Sequence, residues 1–129
     1  MADTGAPPFV IGVFANAILE QDYELAHSCL SNGLQKRLPR TELRETLLEA
    51  EEDGGVPSSF SWRRSDMNYA DWTGCVESPS APEVCSDNYL SWSCLTFHTD
   101  VEPCYQIWCV LMTEGPEQCI GFFEITDPD

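Results

Sequence analysis

Two histidines, four tyrosines and seven cysteines are the side chains of this 129-residue chain that could do acid–base or thiol chemistry. The sharpest pair is His98 and Tyr105. Asp100 to Pro103 reads as a hairpin turn, which keeps Pro103 out of a ladder where it has no N–H to donate. Thr99 then opposes Cys104, and counting back pairs His98 with Tyr105, Thr96 with Ile107, Cys94 with Cys109 and Trp92 with Leu111. On this register Trp92, Cys94, Thr96, His98, Tyr105, Ile107 and Cys109 share the core and pocket side of the sheet. A histidine beside a phenol is a base next to a hydrogen-bond donor, and burial can tune such a base toward neutral pH. The expected face carries no carboxylate to orient the imidazole, so the simpler reading of His98 is a core-edge ring satisfied by a hydroxyl. A slip of one residue would exchange the two faces of the strand.

Six of the seven cysteines, Cys75, Cys85, Cys94, Cys104, Cys109 and Cys119, fall in the second half of the chain at spacings of 10, 9, 10, 5 and 10. No C-x-x-C occurs, so neither a zinc ribbon nor a thioredoxin-type site is indicated, and nothing in the sequence requires a metal or a cofactor. A free cysteine serves well as a small apolar residue on a strand. Cys75 and Cys85 bracket a polar loop and could clip it, and opposed Cys94 and Cys109 would permit a disulfide, although a reducing compartment would keep both as thiols. Tyr23 and His27 lie four residues apart on one stretch. Tyr23 is expected to pack, the alternative being that its hydroxyl reaches the pocket, and His27 is expected on a helix surface, the alternative being that it shares the inner face with Tyr23.

The elements that must position these groups follow from periodicity. Pro7 and Pro8 suit a helix start, and Val10, Phe14, Ala17 and Ile18 form one apolar stripe of a first helix ending near Glu20. Asp22 reads as the N-cap of a short second helix with Tyr23, Ala26 and Leu30 inward, interrupted by Ser31, Asn32 and Gly33. A third helix, starting at Pro39 to Thr41, turns Leu43, Leu47 and Leu48 inward and stops at Gly54 and Gly55. Glu49, Glu51, Glu52 and Asp53 crowd the negative end of its dipole, an arrangement that solvent is expected to tolerate. Beyond Pro57 the composition turns to Trp, Tyr, Phe, Val, Ile, Thr and Cys, and strands are predicted over Phe60–Tyr69, Tyr89–Thr99, Tyr105–Met112 and Cys119–Ile125. Glu114 to Glu117, with Gly115 and Pro116, is the second hairpin turn, and residues 74–88 form an exposed loop. Three helices before a curved antiparallel meander make an α+β plan, and the length allows one domain spanning 1–129.

Charge narrows the partners. Against 22 acids stand six bases, a net −16, which excludes the basic footprint of a nucleic-acid binder. All six, Lys36, Arg37, Arg40, Arg44, Arg63 and Arg64, fall within residues 36–64, leaving residues 65–129 with twelve acids and no base. Those acids are expected on loops, turns and the outer sheet face, either as a solvated surface or as one steered toward a cationic partner. The longest apolar stretch, Phe9 to Leu19, is broken by Asn16, is too short to span a bilayer and has no Lys or Arg before it, so a soluble, cytoplasmic product without membrane contact is expected.

The run Phe14-Ala15-Asn16-Ala17-Ile18-Leu19-Glu20-Gln21-Asp22-Tyr23-Glu24-Leu25-Ala26, then Leu30-Ser31 and Leu38-Pro39-Arg40-Thr41-Glu42-Leu43, resembles the NTF2-like (cystatin-like, SnoaL-like) superfamily. There a first helix ends in a Gly/Gln-Asp-Tyr/Trp turn, and the closing Ile120-Gly121-Phe122-Phe123-Glu124-Ile125 is similar to that family's last strand. The chain departs from the family where a Trp often starts that strand, since Glu117, Gln118 and Cys119 stand there. The resemblance implies a cone-shaped cavity between helices and sheet, and a homodimer through the open sheet face. It also implies, for enzymes of this fold, pocket His, Asp and Tyr side chains that abstract protons and stabilise oxyanions. The leading expectation is a non-catalytic module for a small apolar ligand or a protein partner, with Tyr23, Trp92, His98 and Tyr105 around the ligand. The alternatives are a small isomerase, dehydratase or cyclase with His98 as base and Tyr105 as donor, and an acidic inhibitor or immunity-type protein that masks a basic target.

Overall fold

The computed structural model describes residues 7–65 and 89–126, which form four helices and four strands in the order α1 (Phe9–Leu19), α2 (Tyr23–Ser28), α3 (Asn32–Arg37), α4 (Arg40–Gly54), β1 (Ser59–Ser65), β2 (Tyr89–His98), β3 (Pro103–Glu114) and β4 (Glu117–Thr126). The α+β plan therefore holds, with one helix more than predicted. Ser31 explains the extra one: its hydroxyl accepts from the Leu34 amide at 3.1 Å, so the residues expected to end a helix cap a new one instead. Asp22 caps α2 as expected, accepting from the Leu25 amide at 3.2 Å. The last four residues of the strand predicted to reach Tyr69, and the predicted loop with Cys75 and Cys85, lie outside the described residues.

The strands form an open antiparallel sheet in the order β1-β2-β3-β4. The β3–β4 hairpin turns where expected, with Glu114 opposite Glu117 and Gly115 in the left-handed region at φ 60. The β2–β3 hairpin does not. Thr99 closes its turn by accepting from the amides of Val101 and Glu102, and Pro103 enters the ladder opposite His98. As the first residue of its strand, Pro103 has no ladder donor to supply there. A bulge follows, so Tyr105 faces Phe97, Ile107 faces Leu95, and Cys109 faces Ser93. The expected pairs are each displaced by one residue. On β3 the inner face is as predicted, whereas on β2 it is inverted: Leu95 and Phe97 look toward the helices, and Trp92, Cys94, Thr96 and His98 look away.

Helices and inner face share one core of Ile11, Phe14, Ala15, Ile18, Leu30, Leu43, Leu47, Leu95, Phe97, Ile107 and Ile120, with Phe60, Trp62, Phe123 and Ile125 packed at its margin. The link after α2 is tied to β4 by a parallel bridge of Leu30 to Ile120, in which Ser31 N–H donates to Ile120 O at 2.8 Å and Ile120 N–H donates to Cys29 O at 2.9 Å. Leu48, predicted inward, is only half-buried. No described helix is long and apolar enough to cross a membrane.

Candidate functional site

The inner stripe of α4 runs Leu43, Leu47, Glu51 at four-residue intervals, so the helical period that buries two leucines carries a carboxylate inward after them. Glu51 is 7% exposed. Its expected companion, solvent, is replaced by two side chains from the α1–α2 turn: Gln21 Nε2 donates to Oε1 at 3.0 Å and the Tyr23 hydroxyl reaches Oε2 at 3.5 Å. Gln21 stands at φ 58, a left-handed conformation that costs a non-glycine residue roughly 1–2 kcal/mol. The bond to Glu51 helps offset that strain and fixes the turn. Burial, and then the Glu51 charge, raise the Tyr23 pKa and keep the phenol protonated.

Tyr105 completes the group from β3. Its ring stacks on Phe97 with centroids 5.2 Å apart, the residue is 3% exposed, and its hydroxyl has no hydrogen-bond partner among the described residues. Burial raises its pKa strongly, with Glu51, Cys104 and Tyr23 adding in that order, so the hydroxyl is neutral at every physiological pH. It keeps one donor and its acceptor lone pairs.

A cleft of about 780 Å³ opens beside this group, bounded on the α4 side by Thr46, Glu49, Ala50, Asp53 and Gly54 and on the strand side by Glu102 to Tyr105, Ile125 and Thr126. Gly54 lets the two sides meet at the floor. A Cβ there would collide with the carbonyl oxygen of Cys104 and lie 2.9 Å from its carbonyl carbon. Every formally charged side chain of the lining, Glu49, Asp53 and Glu102, is an acid. Glu102 lies in the β2–β3 turn, as expected for the acids of residues 65–129, and Glu49 and Asp53 are exposed at the end of α4, as expected there. The Cys104 thiol is pushed up by burial, then by Glu102 and Glu51, the opposite of what a nucleophile needs.

Of the four residues predicted around a ligand, the structure brings two together and separates two. Tyr23 and Tyr105 both adjoin Glu51. His98 and Trp92 lie on the other side of the sheet from Tyr105, a consequence of the bulge, so His98 and Tyr105 are not a base–donor pair. His98 Nε2 instead lies 3.3 Å from the Ser61 hydroxyl, and Trp92 packs edge-on to Trp108 at 6.4 Å. His27, expected on a helix surface, is half-buried with Nε2 2.9 Å from Leu38 O, tying α2 to the end of α3. Cys94 and Cys109 point to opposite faces and Cys109 is a free thiol, so the disulfide that the predicted register would have allowed is absent. Among the described residues no group of three or more His, Cys, Asp or Glu is placed to hold a metal ion. Glu51 inside the core and the meeting of the cleft acids are what sequence reasoning missed. The signal for Glu51 was its place in the Leu43–Leu47 repeat.

No protein-family model, no curated protein and no solved structure matches the chain.

Proposed function

We propose that this is a non-catalytic, NTF2-like binding domain that takes a small ligand in the cleft between α4 and the adjoining ends of β3 and β4. The observation that carries the reading is the cleft itself, whose volume of about 780 Å³ is that of a small-molecule site. Ala50, Pro103 and Ile125 supply apolar wall for such a ligand. His98, the base of the catalytic alternative, lies on the other side of the sheet from Tyr105. Trp92, Cys94 and Val110 at the centre of that far side are already buried within one chain, so the reading does not need the homodimer expected through the sheet. The test is an amide NMR screen of the intact chain against neutral fragments. Shifts confined to Ala50, Cys104, Tyr105 and Ile125 are expected for hits, and a screen in which no compound of any charge moves those amides would sink the proposal.

A further inference from the structure

We infer that Asn32 is a site of spontaneous deamidation, at which the chain converts in part to aspartate and isoaspartate as it ages. Of its four asparagines, Asn16, Asn32, Asn68 and Asn88, only Asn32 precedes a glycine. The backbone nitrogen after an asparagine can close a succinimide ring on the side-chain carbonyl carbon, and a glycine there removes the Cβ that hinders the approach. The fold leaves that route open. Asn32 and Gly33 are both exposed, and a Cβ built on Gly33 would meet nothing within 4 Å. The two residues begin α3, and the bonds that fix its start use the amides on either side of Gly33. Asn32 N–H donates to both carboxylate oxygens of Glu114, at 3.1 and 2.9 Å, and Leu34 N–H donates to Ser31 Oγ. The first amides of a helix have no intrahelical acceptor, so the Gly33 nitrogen can turn toward the Asn32 side chain without giving up a ladder bond. A helix of six residues is held by its contacts and not by its own ladder, and its first turn opens readily. The comparable positions are closed. Asp53-Gly54 could cyclise in the same way, but Gly54 ends a fifteen-residue helix and is pressed against the Cys104 carbonyl. Asn16 lies within α1 before Ala17, its side-chain nitrogen donating to Gly12 O at 3.0 Å.

In the reaction the Gly33 nitrogen bonds to Asn32 Cγ, and the side-chain nitrogen leaves as ammonia with the proton that the Gly33 nitrogen gives up. A water molecule then opens the succinimide at either carbonyl. Opening at the side-chain carbonyl restores the chain as aspartate, and opening at the main-chain carbonyl routes the backbone through Cγ as isoaspartate, one methylene longer. The aspartate places a negative charge in the first turn of a helix, which favours it, and beside Glu114, which opposes it. The isoaspartate lengthens the segment between Ser31 and Leu34, drawing the Ser31 hydroxyl away from the amide it caps and straining the adjoining Leu30–Ile120 bridge. Glu114 is at the other end of β3 from the cleft, so the binding reading is not involved.

The experiment holds the intact chain in warm, mildly alkaline buffer and maps it by peptide mass spectrometry with a fragmentation that separates isoaspartate from aspartate. Conversion is expected at Asn32 ahead of Asn16 and of Asp53, with both products present. Gly33→Ala, whose methyl has open space, should fold and slow the conversion by at least about two- to fivefold, the part due to a firmer helix alone. The isoaspartyl form should lose roughly fivefold in its folding equilibrium constant, as for one helix cap. Its Ser31 and Ile120 amides should exchange faster with solvent, and Asn32→Asp should change the constant less. Conversion that is faster at Asn16, or that Gly33→Ala leaves unchanged, would overturn the inference. So would conversion in urea that is absent from the native chain over the same time, which would mean that α3 shields the bond.

Discussion

Where α1 crosses β4, Phe14 is wholly buried with its ring 5.9 Å from Phe123, and Ile11, Ile18 and Ile120 are equally buried in the same core. Where α4 meets the start of β3, the same core ends in Glu51, Gln21, Tyr23 and a tyrosine hydroxyl with no partner among the described residues, next to an open cleft. Both contacts are made by an amphipathic helix on the inner sheet face. The first is filled by shape, which a close-packed interior rewards. The second is filled by polar groups held in place by one another, which stabilises less and leaves capacity for something else. A domain needs the first kind of contact to fold, and the second marks where binding can be accommodated.

The contrast is broken most severely at its apolar end. Phe14→Ala empties a fully buried ring's volume and should destabilise the chain by about 3–5 kcal/mol, by the usual cost of such truncations. Chemical denaturation measures it. A loss under about 1 kcal/mol would mean that α1 is not seated on β4 as described.

Next in size is Gly54→Ala. Its new methyl would strike the Cys104 carbonyl, a backbone group that cannot swing aside. Forcing α4 off β3 should cost about 1–3 kcal/mol, as overpacked sites do, and should shift the amides of Cys104 and Tyr105 more than those of Phe14 or Ile120. A neutral substitution would show that the cleft floor has slack.

These two sites also show what a sequence carries and what it withholds. The Phe14 stripe, the Asp22 cap and the Gly115 turn are local signals with a single physical solution, and the structure has all three. The β2–β3 register is not local: one bulge residue after Pro103 decides which side of the sheet His98 occupies, and no nearby residue announces it. Glu51 was legible in principle. Reading the end of α4 by its dipole placed all four acids in solvent, whereas reading it by the Leu43–Leu47 repeat puts this one inside. The cleft was illegible because Glu102 and Asp53 come together only through the contact that Gly54 permits.

The smallest effect belongs to the polar end, and its sign is informative. Tyr105→Phe removes a hydroxyl that has no partner among the described residues, so at neutral pH the chain should be unchanged or gain up to about 1 kcal/mol. The pH dependence sharpens the comparison. Tyr105 ionises at a higher pH folded than its ordinary value of 10.0, so the folded state holds a proton that the unfolded chain gives up. Its contribution is complete below pH 10 and is lost as pH rises from there toward the folded value. Cys29, pushed up to about 11 by burial, acts in the same direction from pH 9 upward. Thermal melts should therefore fall steeply between roughly pH 9 and 11 for the parent chain, and less steeply for Tyr105→Phe, while Phe14→Ala lowers the whole curve without changing its slope. Parallel curves for the parent and Tyr105→Phe would place the hydroxyl in water, and the polar end of the core would then be an ordinary surface.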